Sequence, residues 1–373
     1  MSMLSYIYSK PQGAKQSRQA QPGQKASYLP AAIEIGASAL RLVQIAKAAD
    51  KYKIVKIAYR PLEAAGKPIG QVKDTLSAFV KENKVRGEVV TSLPFSKIQS
   101  FFYAFPNMPE KEIGQAVGWK LKHNPPAGLA LENTSFDYTW RVVAKEEANK
   151  EIQVQVFAAA KDAVAERINL FKGLALEVIA VEPKPYAACA GLLCLSKIKP
   201  EETVLALQLG AAESAIAVVH AGQPCFIRPL SISGNSLTRA IAGHYQLDRQ
   251  KAEALKINEG LKSWDAAAAG IFVPAIASQL EGLVVEIEHE FKFFSYEVAK
   301  TALNSFDRVI LCGGGAALKN LDKFLSERLG VGVEVFNPLV SLEFCPKEEA
   351  GLLAQRNAPG FAACVGLAVR YGE

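Results

Sequence analysis

A short unit that occurs twice, half a chain apart, constrains the fold of this sequence more than any other feature. The first copy reads AAIEIGASALRLVQI, and the second reads VLALQLGAAESAIAVV. Gln208 and Gly210 follow Glu34 and Gly36 at the same offset of 174 positions. In each copy the alternation of apolar residues predicts strands on both sides of a tight glycine turn. Two such units predict an α/β fold of two similar lobes that face each other across a cleft.

The composition is that of an ordinary globular protein with enough material for two or three domains. The chain has 373 residues, of which 50% are apolar and 21% are charged, and its net charge is +6. The positive charge is not gathered into a basic stripe, so we expect no nucleic-acid partner. No run of about 18 apolar residues occurs, so we expect no membrane-spanning helix.

The order of predicted elements divides the chain into segments. Residues 1–29 are rich in Gln, Ser, Gly and Pro and contain basic but no acidic residues, which predicts a disordered basic tail. The segments that follow are a first lobe (30–94 and 176–200), an inserted subdomain (95–175), a second lobe (201–337) with a helical subdomain (240–275), and a closing segment (338–373) that packs on the first lobe.

The segment 95–175 is expected to form a compact strand–helix–hairpin–helix unit beside the first lobe. Acidic residues at the start of its first helix and the Asn-Pro-Pro that ends it set the bounds of that helix. We expect Trp119 on this helix to face the core, because large aromatic residues at helical spacing usually do.

Three glycine turns are expected to line the cleft. They lie at Gly36, at Gly210 and at the run Gly313, Gly314 and Gly315. Backbone N–H groups in such turns bind phosphate oxygens, so we favour a cleft that binds a nucleotide. A degenerate, empty cleft is the alternative.

These loops resemble, in the same order, those of the actin, Hsp70 and sugar-kinase superfamily. Residues 33–43 resemble its first phosphate loop, residues 207–210 its second, and residues 309–316 its adenosine loop. The resemblance implies an actin-like fold with two related strand-meander and helix lobes and a small inserted α/β subdomain, with ATP and Mg²⁺ between the lobes. The implied nucleotide-binding residues are Glu34, Gly36, Ser38, Arg41, Gln208, Gly210, Gly234, Asn235, Glu253, Lys256, Gly313, Gly314 and Gly315.

Four positions qualify the chemistry that the resemblance implies. Glu34 replaces an Asp and is the single candidate metal ligand, acting on Mg²⁺ through water. Gln208 replaces the Asp of the second loop and supplies no charge to Mg²⁺. Arg41 replaces a Lys and could still clamp a phosphate. Glu182 lies either where the superfamily positions the attacking water or simply at the start of a helix. We expect weakened Mg²⁺ binding, at most a weak ATPase, and no assigned catalytic residue.

Within the superfamily the chain resembles the PilM family of type IV pilus assembly. The resemblance rests on residues 105–112, 136–138, 232–238 and 252–256, together with Trp119. It implies a cytoplasmic scaffold, peripheral to the inner membrane, that binds the cytoplasmic N-terminal peptide of a PilN-type inner-membrane protein. An extended peptide would lie in a groove between the first lobe and the inserted subdomain. The membrane would be reached only through this partner, and self-association is left open.

Two other functions share the fold. An FtsA-like division scaffold would carry an amphipathic membrane helix at its C-terminus, and residues 367–373 do not provide one. A small-metabolite kinase would need efficient metal-assisted phosphoryl transfer, and Gln208 argues against that.

Overall fold

The computed structural model describes residues 27–48, 51–62, 69–126, 136–146, 150–261, 273–301, 303–344 and 356–371. The predicted basic tail lies outside the described residues up to position 26. Ser27–Tyr28 form a short strand that pairs with Lys47 and Ala46, so these two residues of the predicted tail belong to the sheet of the first lobe.

The sheet of the first lobe combines an antiparallel meander with parallel strands. In the described chain its order is β15-β4-β3-β2-β5-β9, and β1 pairs with β3. The pairs β2–β3 and β3–β4 are antiparallel, whereas β5 runs parallel to β2 and β9 parallel to β5. The strands are β1 (Ser27–Tyr28), β2 (Ala31–Ile35), β3 (Ala39–Ala48), β4 (Lys51–Pro61), β5 (Gly87–Leu93), β9 (Leu176–Pro183) and β15 (Glu343–Phe344).

The sheet of the second lobe repeats this plan. Its described strands run in the order β12-β11-β10-β13-β14, with an antiparallel meander of β10, β11 and β12 and with β13 and β14 parallel to β10. The sequence repeat therefore corresponds to two related lobes, as predicted. The strands are β10 (Val204–Leu209), β11 (Ser214–His220), β12 (Gln223–Leu230), β13 (Arg308–Cys312) and β14 (Gly332–Val335).

A third sheet belongs to the inserted subdomain and touches both lobes. Its described strands are β6 (Gln99–Pro106), β7 (Phe136–Glu146) and β8 (Glu151–Ala160), in the order β6-β8-β7. Phe157 and Ala159 belong to a core cluster that contains residues of both large sheets. Phe102 stacks on Phe226 of the second lobe, with 5.6 Å between ring centroids. The sequence analysis expected this unit beside the first lobe and made no prediction of a contact with the second lobe. The bounds of the predicted segments stay a prediction.

Helices α4 (Lys184–Leu195) and α9 (Ala362–Arg370) pack closely against each other. Helix α4 also contacts strands of both large sheets, and α9 also contacts β2 and β3 of the first lobe. A Cβ atom on Gly366 would lie 1.8 Å from the carbonyl oxygen of Ala187, so only glycine allows this approach. The described α-helices are α1 (Ile69–Glu82), α2 (Glu110–His123), α3 (Lys161–Asn169), α4 (Lys184–Leu195), α5 (Gly234–Tyr245), α6 (Arg249–Glu259), α7 (Val273–Phe293), α8 (Leu321–Leu329) and α9 (Ala362–Arg370).

The expectation for Trp119 is wrong. Helix α2 packs on the subdomain sheet through Ile113, Val117 and Leu121, which are buried. The side chain of Trp119 is 63% exposed and contacts the ring of His123 at a tilt of 38°, with 4.9 Å between ring centroids. Position 119 lies on the opposite side of the helix from the buried row. The exposure of this residue therefore follows from its position in the helical repeat and not from its aromatic side chain.

In the described part of the chain, no helix combines the length and hydrophobicity that crossing a bilayer requires.

Candidate functional site

The first phosphate loop is the tight turn between β2 and β3. The N–H group of Gly36 donates to the carbonyl oxygen of Ala39 at 3.0 Å, and a Cβ atom at Gly36 would lie 3.0 Å from the same oxygen. Ala37 and Ser38 are exposed at the tip of the turn. The Gly36 N–H is thus used inside the turn, and a ligand would meet the residues at the tip.

The second phosphate loop, between β10 and β11, rests on the first turn of α5. A Cβ atom at Gly210 would lie 2.3 Å from the carbonyl oxygen of Glu213, which requires glycine there. The N–H groups of Gly234 and Asn235 donate to the carbonyl oxygens of Gly210 and Ala211 at 2.8 and 2.7 Å. The predicted residues Gly234 and Asn235 therefore hold the second loop in place with their backbone donors.

The third glycine turn packs directly on the second. Gly313 has a φ angle of 85°, and its N–H donates to the carbonyl oxygen of Pro359 at 2.8 Å. A Cβ atom on Gly313 would lie 2.3 Å from the carbonyl oxygen of Leu209, and one on Gly315 would lie 2.9 Å from the Cβ atom of Leu209. Gly314 is exposed. The fold thus brings together two loops that lie about a hundred residues apart in sequence.

Lys256 and Glu253 lie on α6 and join it to α5. The ammonium group of Lys256 donates to the carbonyl oxygen of Gly234 at 3.0 Å, to Oγ1 of Thr238 at 2.8 Å and to Oε2 of Glu253 at 2.7 Å. Lys256 is buried, and its charge lies beside the turn that supports the second loop. Its position is compatible with the nucleotide contact predicted from sequence.

Glu34 is buried in a cluster of cations at the base of the first loop. Its Oε1 atom lies 2.9 Å from Nζ of Lys184 and 3.5 Å from Nη1 of Arg41. Burial raises the pKa of Glu34, but the charges of Lys184, Arg41 and Arg167 outweigh burial and hold the pKa below its ordinary value. Sequence reasoning missed Lys184, because no local motif marks the first residue of α4.

Arg41 reaches from the first lobe toward the third glycine turn. Its guanidinium group packs over the rings of Tyr59 and Phe361, at 5.5 and 5.9 Å from their centroids. A Cβ atom on Gly314 would lie 3.9 Å from Nη2 of Arg41. The predicted residues Glu34, Arg41 and Gly314 therefore lie in one place.

Gln208 is buried at the end of β10. It lies opposite Ala215 on one neighbouring strand and Cys312 on the other. A small internal cavity beside it is lined largely by apolar side chains, including those of Ala188 and Leu192. Among the described residues, no group of three or more His, Cys, Asp or Glu side chains is placed to hold a metal ion.

A second cation that sequence reasoning missed comes from the inserted subdomain. Arg167 on α3 donates from Nη1 to the carbonyl oxygen of Ile35, in the first phosphate loop, at 3.4 Å. Burial lowers the pKa of Arg167 to about 10, against the opposing effects of Glu166, Glu213 and Glu34. The group keeps its positive charge at neutral pH and lies near acids from both phosphate loops.

The carboxylate of Glu182 interacts with two residues at the C-terminal end of the described chain. Its Oε1 atom accepts from the hydroxyl of Tyr371 at 2.9 Å and lies 3.3 Å from Nε of Arg370. Burial raises the pKa of Glu182, although Arg370 and Tyr371 act in the opposite direction. These contacts favour a structural role at the start of α4 over the positioning of a water molecule.

Two related lobes, three glycine turns around one cleft and an inserted subdomain define an actin-like protein. A family model described as "Type IV pilus assembly protein PilM" matches residues 32–371. The chain belongs to this family, and the resemblance seen in its loops is confirmed.

One solved structure agrees with this assignment, and two others match with lower TM-scores. The structure of a PilM–PilN type IV pilus biogenesis complex matches with a TM-score of 0.75 and 26% identity, over 94% of this chain and 99% of that one. The ethanolamine utilization protein EutJ from Carboxydothermus hydrogenoformans matches with a TM-score of 0.49 and 15% identity, over 93% and 90% of the two chains. MreB5 of Spiroplasma citri bound to ADP matches with a TM-score of 0.44 and 12% identity, over 88% and 97%.

Proposed function

We propose that this PilM-family chain is a scaffold of type IV pilus, or related secretion, assembly that binds the cytoplasmic N-terminal peptide of a PilN-type inner-membrane protein. The observation that carries the proposal is the likeness to a PilM–PilN complex over 94% of the chain. On this account the protein works in the cytoplasm, peripheral to the inner membrane, and reaches the membrane through its partner. The family match favours neither a division scaffold nor a metabolite kinase.

The peptide groove is proposed along β7, between the inserted subdomain and the first lobe. Among the described strands β7 is an edge, and an edge strand accepts an extended peptide through main-chain hydrogen bonds. Asp137 and Thr139 lie on it opposite Ala159 and Phe157, which belong to a core cluster that contains residues of both large sheets. Both are therefore on the buried side of the subdomain sheet.

Two polar atoms support this choice of edge. Oδ1 of Asp137 and Oγ1 of Thr139 are buried and have no hydrogen-bond partner in the described part of the protein. Buried polar atoms without partners are costly, so a peptide that supplies donors or acceptors there would gain affinity. The residues of β6, the other edge of the described sheet, have no comparable pair of buried polar atoms without partners in the described part of the protein.

Anisotropy of a labelled PilN-type N-terminal peptide tests the groove. We expect Thr139→Val and Asp137→Asn to weaken binding about 2-fold to 10-fold, the range for one hydrogen bond. The matched control is Ala104→Lys on the β6 edge, where the residue is exposed; it should leave affinity unchanged. If Ala104→Lys alone loses binding, the groove lies along β6 instead. If the wild-type protein binds no peptide, the proposal is wrong.

A nucleotide is proposed as a second ligand, in the cleft between the lobes and in contact with Gly36, Ser38, Gly210 and the third glycine turn. The charges suit the anionic phosphates, because Arg41, Lys184, Arg167 and Lys256 all lie near the loops. Bound nucleotide would bias lobe closure. Since the inserted subdomain touches both lobes, closure would also change the groove.

The residues do not suit a Mg²⁺ ion held by protein carboxylates. Glu34 already faces two cations, at 2.9 and 3.5 Å, and Gln208 supplies no charge. We therefore propose ATP binding with weak dependence on Mg²⁺ and with slow or absent hydrolysis. Calorimetric titration with and without Mg²⁺, together with a phosphate-release assay, tests this. Turnover of about 1 per second or faster would contradict the scaffold account.

A further inference from the structure

A cation of the inserted subdomain, Arg167, lies in the cleft beside the first phosphate loop. Arg167 is on α3, far from both loops in sequence, yet its Nη1 atom lies 3.4 Å from the carbonyl oxygen of Ile35, next to Gly36. It is half-buried, and Glu34 and Glu213 are both near enough to act on its charge. Arg167 therefore contacts the first loop directly, and the negative charge of Glu213 in the second loop acts on it electrostatically.

Glu213 links the second phosphate loop to the place where the inserted subdomain begins. Its two carboxylate oxygens accept from the N–H groups of Phe95 and Ser96, at 2.8 and 2.9 Å. These donors belong to the short 3₁₀ turn Phe95–Lys97, which directly precedes β6. One acidic side chain of the second lobe thus holds the first turn of the subdomain across the cleft.

We propose that Arg167 binds the terminal phosphate of a nucleotide in the cleft, and that Glu213 opposes this binding in the nucleotide-free protein. The inference rests on the proposed nucleotide function. A guanidinium group offers a planar fork of donors that suits phosphate oxygens. The carboxylate of Glu213 is near the same cation and would repel an incoming phosphate.

This arrangement makes the inserted subdomain responsive to the phosphates. A terminal phosphate attracts Arg167, which belongs to the subdomain, and repels Glu213, which belongs to the second lobe. The phosphate therefore draws α3 toward the first loop and weakens the hold of Glu213 on Phe95 and Ser96. ADP, which lacks the terminal phosphate, produces a smaller effect.

Calorimetric titration of the full chain with ATP and with ADP tests the proposal. The wild-type protein should bind ATP about tenfold more tightly than ADP, the contribution of one charge-assisted hydrogen bond. Arg167→Gln should bring the two affinities within about twofold of each other, and Glu213→Gln should raise ATP affinity by a few fold. The matched control, Lys161→Gln, removes an exposed positive charge from the same helix and should change neither value.

Hydrogen exchange at Phe95 and Ser96 gives a readout that a loss of stability alone would not produce. In the wild-type protein ATP should speed exchange at these two amides more than ADP does, and Arg167→Gln should abolish the difference. If the wild-type protein binds nucleotide but Arg167→Gln keeps the ATP preference, the inference is wrong while the nucleotide proposal stands. If the wild-type protein binds neither nucleotide, both are wrong.

Discussion

The ammonium group of Lys184 lies 2.9 Å from Oε1 of Glu34, the residue that the sequence singles out as a metal ligand. Arg41 lies 3.5 Å from the same oxygen, so two cations of the protein share one buried carboxylate. A carboxylate engaged in this way has little charge left for Mg²⁺. We therefore expect this ion pair to stabilise the first lobe and to leave Glu34 poorly suited to bind Mg²⁺.

Removing Lys184 should destabilise the protein. Lys184→Met leaves Glu34 buried with Arg41 as its remaining close cation, so we expect a loss of about 3 kcal/mol, near the lower end for a broken buried pair. Adding Glu34→Gln should restore part of the loss, because the uncompensated charge is gone. Urea unfolding measures both effects, with Lys172→Met, at an exposed position, as the control. Equal stability of Lys184→Met and the wild type would contradict a buried ion pair.

Acid should weaken this ion pair in a predictable direction. The pKa of Glu34 is below its ordinary value of 4.5 in the folded protein, because Lys184 and Arg41 outweigh the effect of burial. Its stabilising contribution is present above pH 4.5 and is lost as pH falls through the lower folded-state pKa.

The comparison of wild type with Glu34→Gln isolates that contribution. Over the acid range the wild-type free energy of unfolding should fall more steeply, by up to about 1.4 kcal/mol per pH unit for one proton. Urea titrations at a series of pH values measure the difference. Parallel curves for the two proteins would show that the pKa of Glu34 is the same in the folded and unfolded states.

Restoring a metal site should take two substitutions. Gln208→Asp supplies the missing carboxylate, but Lys184 still neutralises Glu34, so we expect little Mg²⁺ dependence from the single variant. Gln208→Asp combined with Lys184→Gln removes the closer of the two cations from Glu34, and ATP affinity should then rise about tenfold on adding Mg²⁺. Calorimetry with and without Mg²⁺ measures this, with Lys184→Gln alone as the control. If Mg²⁺ changes the ATP affinity of the double variant no more than that of the wild type, Gln208 does not lie at the metal position.

The sequence predicted the two lobes and the three glycine turns because their signals are local. Strand alternation and a turn that needs glycine are visible in a window of fifteen residues, as at Gly36 and Gly210. The positions of Lys184 and Arg167 could not be predicted in this way. Each is a single cation on a helix, and it reaches the first phosphate loop only because tertiary packing brings distant segments together.

Residue type misled the sequence analysis at Trp119. The aromatic side chain suggested the core, whereas the buried row on α2 runs through Ile113, Val117 and Leu121. The contact of the inserted subdomain with the second lobe was also missed, because Phe102 and Phe226 are partners across more than a hundred residues.

The exposure of Trp119 leads to a simple stability test. Trp119→Ala removes a side chain that is 63% exposed, so we expect a change within about 0.5 kcal/mol. Leu121→Ala, two residues further on the same helix and buried, should cost about 2–5 kcal/mol. Urea unfolding of both variants decides between a surface and a core position. If Trp119→Ala lowers the free energy of unfolding as much as Leu121→Ala does, Trp119 is a core residue.

Hydrogen exchange with and without the PilN-type N-terminal peptide tests the central claim most directly. An extended peptide that adds to the edge of the subdomain sheet gives hydrogen bonds to backbone N–H groups on the side of β7 where no described strand pairs with it. We predict slower exchange in Phe136–Glu146 when the peptide is present, and no change with a scrambled peptide of the same composition. Unchanged exchange along Phe136–Glu146 at a peptide concentration that saturates binding would contradict the proposed groove, and no binding at all would contradict the scaffold function itself.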